Sequence, residues 1–247
     1  MRQNAGPAAL ARLGASLALL LLMLVPALAG DRALIDLIGY SEDGRYFAFE
    51  EYGVQDGSGF AYSDVYVVDL PADKWLYGSP FNAQAEDEDT TLAEMRAAAL
   101  KKAGDKLEET GITVPAEILA LRGDGVSEGD GKTLGFSRPA CCGPIPQGPE
   151  DYTLTLETFP ADSPEDCVGL TGEKGLGYAL RFDDGETVRE LHRDAKLPKS
   201  RGCPLDYRLY AVVQPFEQTG SYVAIVSSYP FGFEGPDRRF LAVPIDQ

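Results

Sequence analysis

The chain is poor in the residues on which nucleic-acid-binding and zinc-binding proteins depend. It has 22 Lys and Arg residues against 39 Asp and Glu residues, a single histidine, and a formal net charge of −17. Binding to phosphate backbones requires Lys and Arg to displace counterions, and an acidic surface also repels anionic lipid. The composition therefore excludes nucleic acid as the expected partner and favours a soluble exported protein or one with cationic partners.

Motifs for nucleotides, zinc and membrane spans are also missing. No G-x-x-x-x-G-K-[ST] sequence occurs, and no G-x-G-x-x-G opens a helix after a strand. Zinc sites need closely spaced ligand pairs, usually with histidines, and one histidine does not supply them. No long apolar run follows Gly30, so we expect no membrane span after that position. We therefore expect no cofactor and no metal.

Residues 1–29 are arranged as a secretory signal peptide. A basic start with Arg2 and Arg12 is followed by an apolar run and the small-x-small cleavage site Ala27-Leu28-Ala29. The run is short for a stable span and lacks a basic flank, so we expect cleavage rather than a membrane anchor. Residues 30–247 would then form a single secreted domain of net charge −19, because cleavage removes two arginines and no acidic residue. The expected location is outside the cytosol.

The remainder carries the aromatic and β-branched runs of an antiparallel β-meander. Turns rich in Gly, Asp and Pro separate these runs, in keeping with the 27 glycines and 17 prolines of the chain. Segment 115–121 is compatible with either a short helix or a strand. We predict one mainly β domain with strands at 34–40, 46–49, 65–68, 133–137, 152–159, 176–182, 186–192, 207–213, 222–227 and 239–245.

One principal α-helix is predicted over residues 92–110. Thr91 and Glu94 have the spacing of a capping box, and the acidic run 86–89 stands where negative charge stabilises a helix N-terminus. Gly111 supplies a left-handed stop. Apolar residues recur at spacings of three and four, which gives the helix one face to bury. These residues are Leu92, Met95, Ala99, Ala103 and Leu107.

Two segments near the ends of the domain resemble each other. Gly44-Arg45-Tyr46-Phe47-Ala48-Phe49 is echoed by Gly220-Ser221-Tyr222-Val223-Ala224-Ile225, and a glycine-bearing loop and a further strand follow each segment. Such a repeat is typical of a sheet that closes on itself, as propeller blades do, although two ordinary hairpins also show chance similarity. Residues 40–49 and 64–70 resemble the repeat of TolB-type β-propellers, which implies a propeller-like or related meander.

Over its mature length the chain is also similar to a family of uncharacterised bacterial predicted secreted proteins, most clearly at residues 194–204. That resemblance implies export and a Cys167–Cys203 bridge, and it carries over no catalytic residue. On spacing alone, four cysteines leave three disulfide connectivities open. Cys141 and Cys142 would form a strained vicinal bridge, take part in a crossed pattern, or remain a thiol pair.

A serine hydrolase is the main enzymatic alternative. Gly125-Val126-Ser127-Glu128-Gly129 matches the G-x-S-x-G nucleophile elbow, and His192 is the only histidine that could act as its base. The elbow needs a strand before the serine and a helix after it, and no helix pattern follows Ser127. We therefore interpret Ser127 as part of a surface turn and His192 as a solvated or salt-bridged surface residue. The candidate third members are Asp166, Asp183 and Asp194.

The sequence contains no coherent catalytic set. We therefore expect a non-enzymatic periplasmic protein that binds or organises an envelope protein or a small ligand, without membrane contact after cleavage. A cation or redox sensor is a further alternative. It would use the acidic glycine loops 56–59 and 124–131, neither of which has calcium-ligand spacing, or the pair Cys141 and Cys142.

Overall fold

The computed structural model describes residues 30–123, 129–138, 150–218 and 220–245. The predicted leader, Ser127, Cys141 and Cys142 lie outside these residues. The described residues form two helices, α1 (Leu92–Glu109) and α2 (Cys167–Thr171), together with a 3-10 turn at Lys199–Arg201. The strands are β1 (Leu34–Ser41), β2 (Tyr46–Val54), β3 (Ala61–Asp69), β4 (Lys74–Trp75), β5 (Phe81–Gln84), β6 (Ile112–Val114), β7 (Ala116–Leu121), β8 (Thr133–Arg138), β9 (Glu150–Pro160), β10 (Leu176–Asp183), β11 (Val188–Arg193), β12 (Pro204–Pro215), β13 (Val223–Pro230) and β14 (Arg239–Pro244).

These strands form three antiparallel sheets. The N-terminal sheet has the order β4-β3-β2-β1-β6, with β5 also paired to β3. The central sheet has the order β14-β13-β12-β7, and the β8–β11 sheet has the order β11-β10-β9-β8. Only Pro115 separates β6 from β7, so the chain passes from the N-terminal sheet to the central sheet within one residue. The predicted mainly β, antiparallel fold with one principal helix is therefore confirmed.

The central sheet is buried on both of its faces. Side chains alternate along a strand, so Val223 and Ile225 of β13 pack against the N-terminal sheet, whereas Ala224 and Val226 pack against the β8–β11 sheet. A strand covered on both sides reads as a continuous apolar run rather than an alternating one. Residues 223–226 are such a run, and this sheet is the middle layer of a three-layer stack.

The two echoing segments lie in different sheets. The first forms β2 of the N-terminal sheet, and the second forms β13 of the central sheet, where the two strands face each other across one core. Their turns also meet, because a Cβ atom on Gly44 would lie 2.3 Å from the Oγ of Ser221. Both sheets are open, because the strand orders β4-β3-β2-β1-β6 and β14-β13-β12-β7 do not return to their first strand. The expectation of one closed sheet is therefore wrong for the described strands.

Helix α1 begins and ends where its sequence signals predict. The Thr91 side chain accepts from the Glu94 N–H, the Glu94 carboxylate accepts from the Thr91 N–H, and Gly111 has a φ of 64°. Ala99 and Ala103 bury against the outer face of the N-terminal sheet. Within the described ranges, neither helix is long and apolar enough to cross a bilayer.

The sequence did not predict the shortest helix and strands. Segment 115–121 is mostly strand, since β7 pairs with β12, whereas β4, β5 and α2 have between two and five residues each and show no periodicity to detect. The strand predicted at 186–192 begins later, because the Asp184 side chain accepts from the backbone N–H groups of Glu186 and Thr187 and extends the turn.

A disulfide joins Cys167 to Cys203, with their Cα atoms 5.3 Å apart. Cys167 is the first residue of α2, and Cys203 directly precedes β12. The bridge therefore ties the connection between β9 and β10 to the central sheet, and it is the pairing that the family resemblance implies.

Candidate functional site

A cleft of about 610 Å³ lies beside the edge of the central sheet. β14 is the last strand of that sheet, and residues of both outer sheets line the space beyond it. One wall carries Glu51, Asp64, Tyr66, Asp73 and Trp75 of the N-terminal sheet and its β3–β4 turn. The opposite wall carries Tyr178 and His192 of the β8–β11 sheet, together with Ser200 and Arg201 of the 3-10 turn.

The edge of β14 forms the floor of the cleft. Its residues Phe240, Leu241, Ala242 and Val243 all line the space, although their side chains alternate between the two faces of the sheet. Four consecutive residues reach one cleft only if the strand presents its edge. The Phe240 N–H confirms this orientation, because it donates to the Oε2 of Glu51 at 2.7 Å rather than to β13.

Glu51 is a buried acid at this floor, with its side chain 1% exposed. Burial raises the pKa of Glu51 to about 8, although the nearby Arg239 guanidinium and the Phe240 N–H both lower it. At neutral pH the side chain is therefore mostly an uncharged carboxylic acid, which accepts one hydrogen bond and has a proton to donate.

Arg239 is enclosed by acidic side chains. Its Nη2 donates to the Oδ2 of Asp31 at 2.6 Å and lies 3.5 Å from the Oδ2 of Asp237, and its Nε lies 3.5 Å from the Oε1 of Glu51. Burial lowers the pKa of Arg239, but Tyr62 and the surrounding acids raise it by more than burial lowers it. The guanidinium therefore stays charged. This side of the cleft holds more carboxyl groups than cations.

His192 on the opposite wall is held by two carboxylates. Its Nε2 lies 3.1 Å from the Oδ1 of Asp194 and its Nδ1 lies 3.9 Å from the Oδ2 of Asp73, while its ring stacks on Tyr178. Burial lowers the pKa of His192, but hydrogen bonds to Asp194 and Asp73 outweigh burial and raise it to about 9. The side chain is 24% exposed. The structure therefore shows a partly exposed, salt-bridged histidine, as the sequence interpretation allows.

Arg201 adds a second cation to this wall. Its Nη1 donates to the Tyr207 hydroxyl at 3.0 Å and lies 3.5 Å from the Oδ2 of Asp194. Burial raises the pKa of Asp194, but His192, Arg201 and the Tyr178 N–H together hold it below its ordinary value. Asp194 is thus a charged carboxylate that orders both cations.

Of the three aspartates considered as the third member of a serine-hydrolase triad, the structure places one beside His192. Asp194 contacts His192, whereas Asp166 accepts from the Gly169 N–H and Asp183 accepts from the Gly185 N–H. The nucleophile candidate Ser127 is outside the described residues.

The sensor candidates are placed only in part. In loop 56–59 the Asp56 side chain accepts from the Glu234 N–H, while most of loop 124–131 and both Cys141 and Cys142 are not among the described residues. Where the structure describes the chain, it contains no group of three or more His, Cys, Asp or Glu placed to hold a metal ion.

Sequence reasoning missed the residues of the cleft other than His192. One signal was available at Glu50 and Glu51, because two consecutive acids interrupt the aromatic strand β2 and must point to opposite faces. Glu50 faces α1, where Arg96 binds it, and Glu51 faces the cleft. Asp73 gave no local signal, although its φ of 47° is unusual for a residue other than glycine.

A family model described as predicted secreted protein (DUF2259) matches residues 48–246, which is most of the chain. The matched range extends from β2 to β14 and includes every cleft residue named above. No curated protein and no solved structure matches the chain. The chain therefore belongs to this family of predicted secreted proteins.

Proposed function

We propose that the protein is an exported, non-enzymatic binding protein of the bacterial periplasm whose ligand occupies the cleft beside β14. The observation that carries this proposal is the convergence of all three sheets on one concave space of about 610 Å³. Binding sites are typically concave and combine apolar lining with a few fixed polar groups, and this cleft has both.

The polar groups of the cleft are held in place before any ligand arrives. Asp194 orients His192 and Arg201, and Glu51 is fixed by the Phe240 N–H. Pre-organised groups reduce the ordering cost of binding. Tyr66 and Trp75 add aromatic surface that lies in contact, with ring centroids 5.0 Å apart. The site is thus equipped to recognise a polar ligand that also offers apolar contacts.

The state of His192 favours binding over acyl-transfer catalysis. A general base must accept a proton from its nucleophile, and a histidine whose pKa is about 9 is already protonated at neutral pH. Ester or peptide hydrolysis that is lost in Ser127→Ala would overturn this reading in favour of the serine hydrolase.

Export to the periplasm is supported by the predicted leader and by family membership. N-terminal sequencing of the protein from the periplasmic fraction is expected to begin at Gly30. Recovery of Met1 from cytosolic material would contradict export.

Trp75 offers a direct assay, because it is the only tryptophan of the chain and it lines the cleft. We would titrate the protein with defined panels of capped peptides, oligosaccharides and amino acids and follow its tryptophan emission. At least one panel is expected to change the emission saturably. If no panel changes it, the proposal is wrong.

A matched pair of variants tests whether binding occurs in the cleft. Ser200→Tyr places a ring in the cleft from an exposed position of the 3-10 turn, whereas Lys199→Tyr places the same ring outside the cleft on the same turn. Binding should be lost in the first variant and kept in the second. Equal loss in both would show that the ligand does not occupy the cleft.

A further inference from the structure

We propose that the ligand is an extended peptide that adds to the edge of β14 as a further strand. This inference rests on the proposed function, because it names the chemical class of ligand for the same cleft. It follows from three features of the described residues, which are the unpaired strand edge, its recessed position and the opposite charges of the two walls.

The first feature is the unpaired edge. In antiparallel pairing, the N–H and C=O groups of alternate residues point to opposite sides of a strand. The Phe240 N–H points away from β13, so the N–H and C=O groups of Ala242 point the same way. Pro244 occupies the next such position and has no N–H to place, as is usual for proline on edge strands.

The edge is covered at its beginning and open further along. The Arg238 N–H donates a hydrogen bond to the Asp31 carbonyl oxygen at 2.7 Å, and the Glu51 carboxyl accepts a hydrogen bond from the Phe240 N–H. Beyond them, β14 has one strand partner among the described strands, which is β13. Ala242 is half-buried and lines the cleft, so an incoming chain can reach its backbone groups.

The second feature is the recess. An exposed strand edge invites uncontrolled pairing, and proteins usually blunt or cover such edges. Here the edge lies at the bottom of a cleft between two other sheets. The walls hinder the approach of another folded sheet, so the occupant that a recessed edge favours is a single extended chain, recognised by strand addition.

The third feature is the charge of the walls. A strand added to β14 would point successive side chains alternately towards the two walls. The wall of the N-terminal sheet presents Asp64 and Asp73 beside the aromatic rings, with Lys74 on its exposed rim. The opposite wall presents His192 and Arg201. Asp73 already contacts His192, with 3.9 Å between its Oδ2 and the Nδ1 of the ring. The matching ligand therefore alternates basic and acidic residues, with its basic side chains towards Asp64 and its acidic side chains towards Arg201.

The probe is a capped hexapeptide of alternating Lys and Glu, titrated against Trp75 emission. A second peptide has the same composition in two blocks, and a third carries N-methyl groups on alternate backbone amides. We expect saturable binding of the alternating peptide and a loss of about tenfold or more for the other two, because each lacks charge matching or backbone hydrogen bonds.

Ala242→Pro removes the outward N–H at a position where an edge strand tolerates proline, and Ala242→Ser keeps it. The proline variant should bind the alternating peptide at least about tenfold more weakly than the serine variant, because the two differ in the backbone N–H that the added strand would use. If Ala242→Pro does not fold, as judged by circular dichroism, the N-methylated peptide on the wild-type protein decides the question.

The outcomes separate the two proposals. Equal affinity for the N-methylated and unmodified peptides would overturn strand addition, even though cleft binding would stand. If an oligosaccharide or an amino acid binds and no peptide does, strand addition is likewise overturned and cleft binding stands. If none of the panels changes the emission of Trp75, both strand addition and ligand binding in the cleft are overturned.

Discussion

His192 owes its ionisation to carboxylates from two different elements. Asp194 follows β11, and Asp73 lies in the β3–β4 turn of another sheet. We expect the only histidine of the chain to titrate near pH 9, and Asp194→Asn to move its pKa towards or below the ordinary 6.5, because burial then opposes the charge with less compensation. The measurement is an NMR pH titration, in which the imidazole signals come from His192 alone.

Asp73→Asn serves as the comparison for that titration. The carboxylate of Asp73 lies 3.9 Å from the ring and that of Asp194 lies 3.1 Å away, so the Asp73 variant should lower the pKa of His192 by less. A wild-type histidine that titrates near 6.5 would show that the two carboxylates do not hold it.

Glu51 should make the protein less stable as the pH rises. Its folded-state pKa of about 8 exceeds the unfolded value of 4.5, so the folded state binds a proton that the unfolded state has lost between these limits. Its contribution to stability is full below pH 4.5 and declines up to about pH 8. Relative to Glu51→Gln, the wild type should lose about 1.4 kcal/mol per pH unit within this window, measured by urea unfolding.

Glu50→Gln is the matched control, because it changes the neighbouring buried acid and leaves Glu51 in place. That variant should keep the Glu51-linked decline while losing stability throughout, since the charge opposite Arg96 is gone. Parallel stability curves for the wild type and Glu51→Gln from pH 4.5 to 8 would contradict the assignment.

Helix α1 is attached to its sheet by an ion pair as well as by small apolar residues. The Nη2 of Arg96 lies 2.6 Å from the Oε2 of Glu50, whose side chain is 1% exposed. Arg96→Leu would leave that carboxylate buried without its cation, at a cost of about 3–5 kcal/mol in the free energy of unfolding. The double variant Glu50→Leu/Arg96→Leu should recover most of this loss, because it removes the unpaired charge.

Lys174→Leu provides the comparison at an exposed pair. Lys174 contacts Asp162 at 2.9 Å where both side chains are mostly in solvent, so no measurable loss of stability is expected. Urea unfolding followed by circular dichroism measures all of these variants. An equal effect of Arg96→Leu and Lys174→Leu would show that burial of Glu50 does not matter.

Elements were predictable from sequence where local chemistry repeats over several residues. The capping box at Thr91 and the left-handed Gly111 mark the ends of α1 because both act within one helical turn. β4 failed because two residues carry no period, and its pairing with β3 depends on a turn in which Asp73 takes a positive φ. An element was therefore predictable only where its own residues carry caps or a repeating apolar pattern.

The cleft was not predictable because it depends on contacts between distant parts of the chain. The hydrogen bond from Phe240 to Glu51 joins residues 189 positions apart. His192 was found from composition alone, as the only histidine, but its partner Asp73 belongs to another sheet. The stacking order of the three sheets decides which of these side chains meet, and no local pattern encodes that order.

At the scale of the whole molecule, the Cys167–Cys203 bridge connects two of the stacked sheets. It closes a loop with a sequence separation of 36 residues. In the chain-entropy description, closing such a loop stabilises the folded state by about 3–4 kcal/mol, because it restricts the unfolded chain. The double variant Cys167→Ala/Cys203→Ala should lose about this much free energy of unfolding, as measured in guanidinium chloride without reductant.

Cys141→Ser/Cys142→Ser is the matched control for the bridge, because it removes the same number of cysteines and leaves Cys167 and Cys203 intact. It should keep the stability that the first variant loses. Non-reducing peptide mapping of the wild type should join the Cys167 peptide to the Cys203 peptide. A map that joins either of them to Cys141 or Cys142, or a larger loss of stability in the control variant, would show that a different bridge holds the layers together.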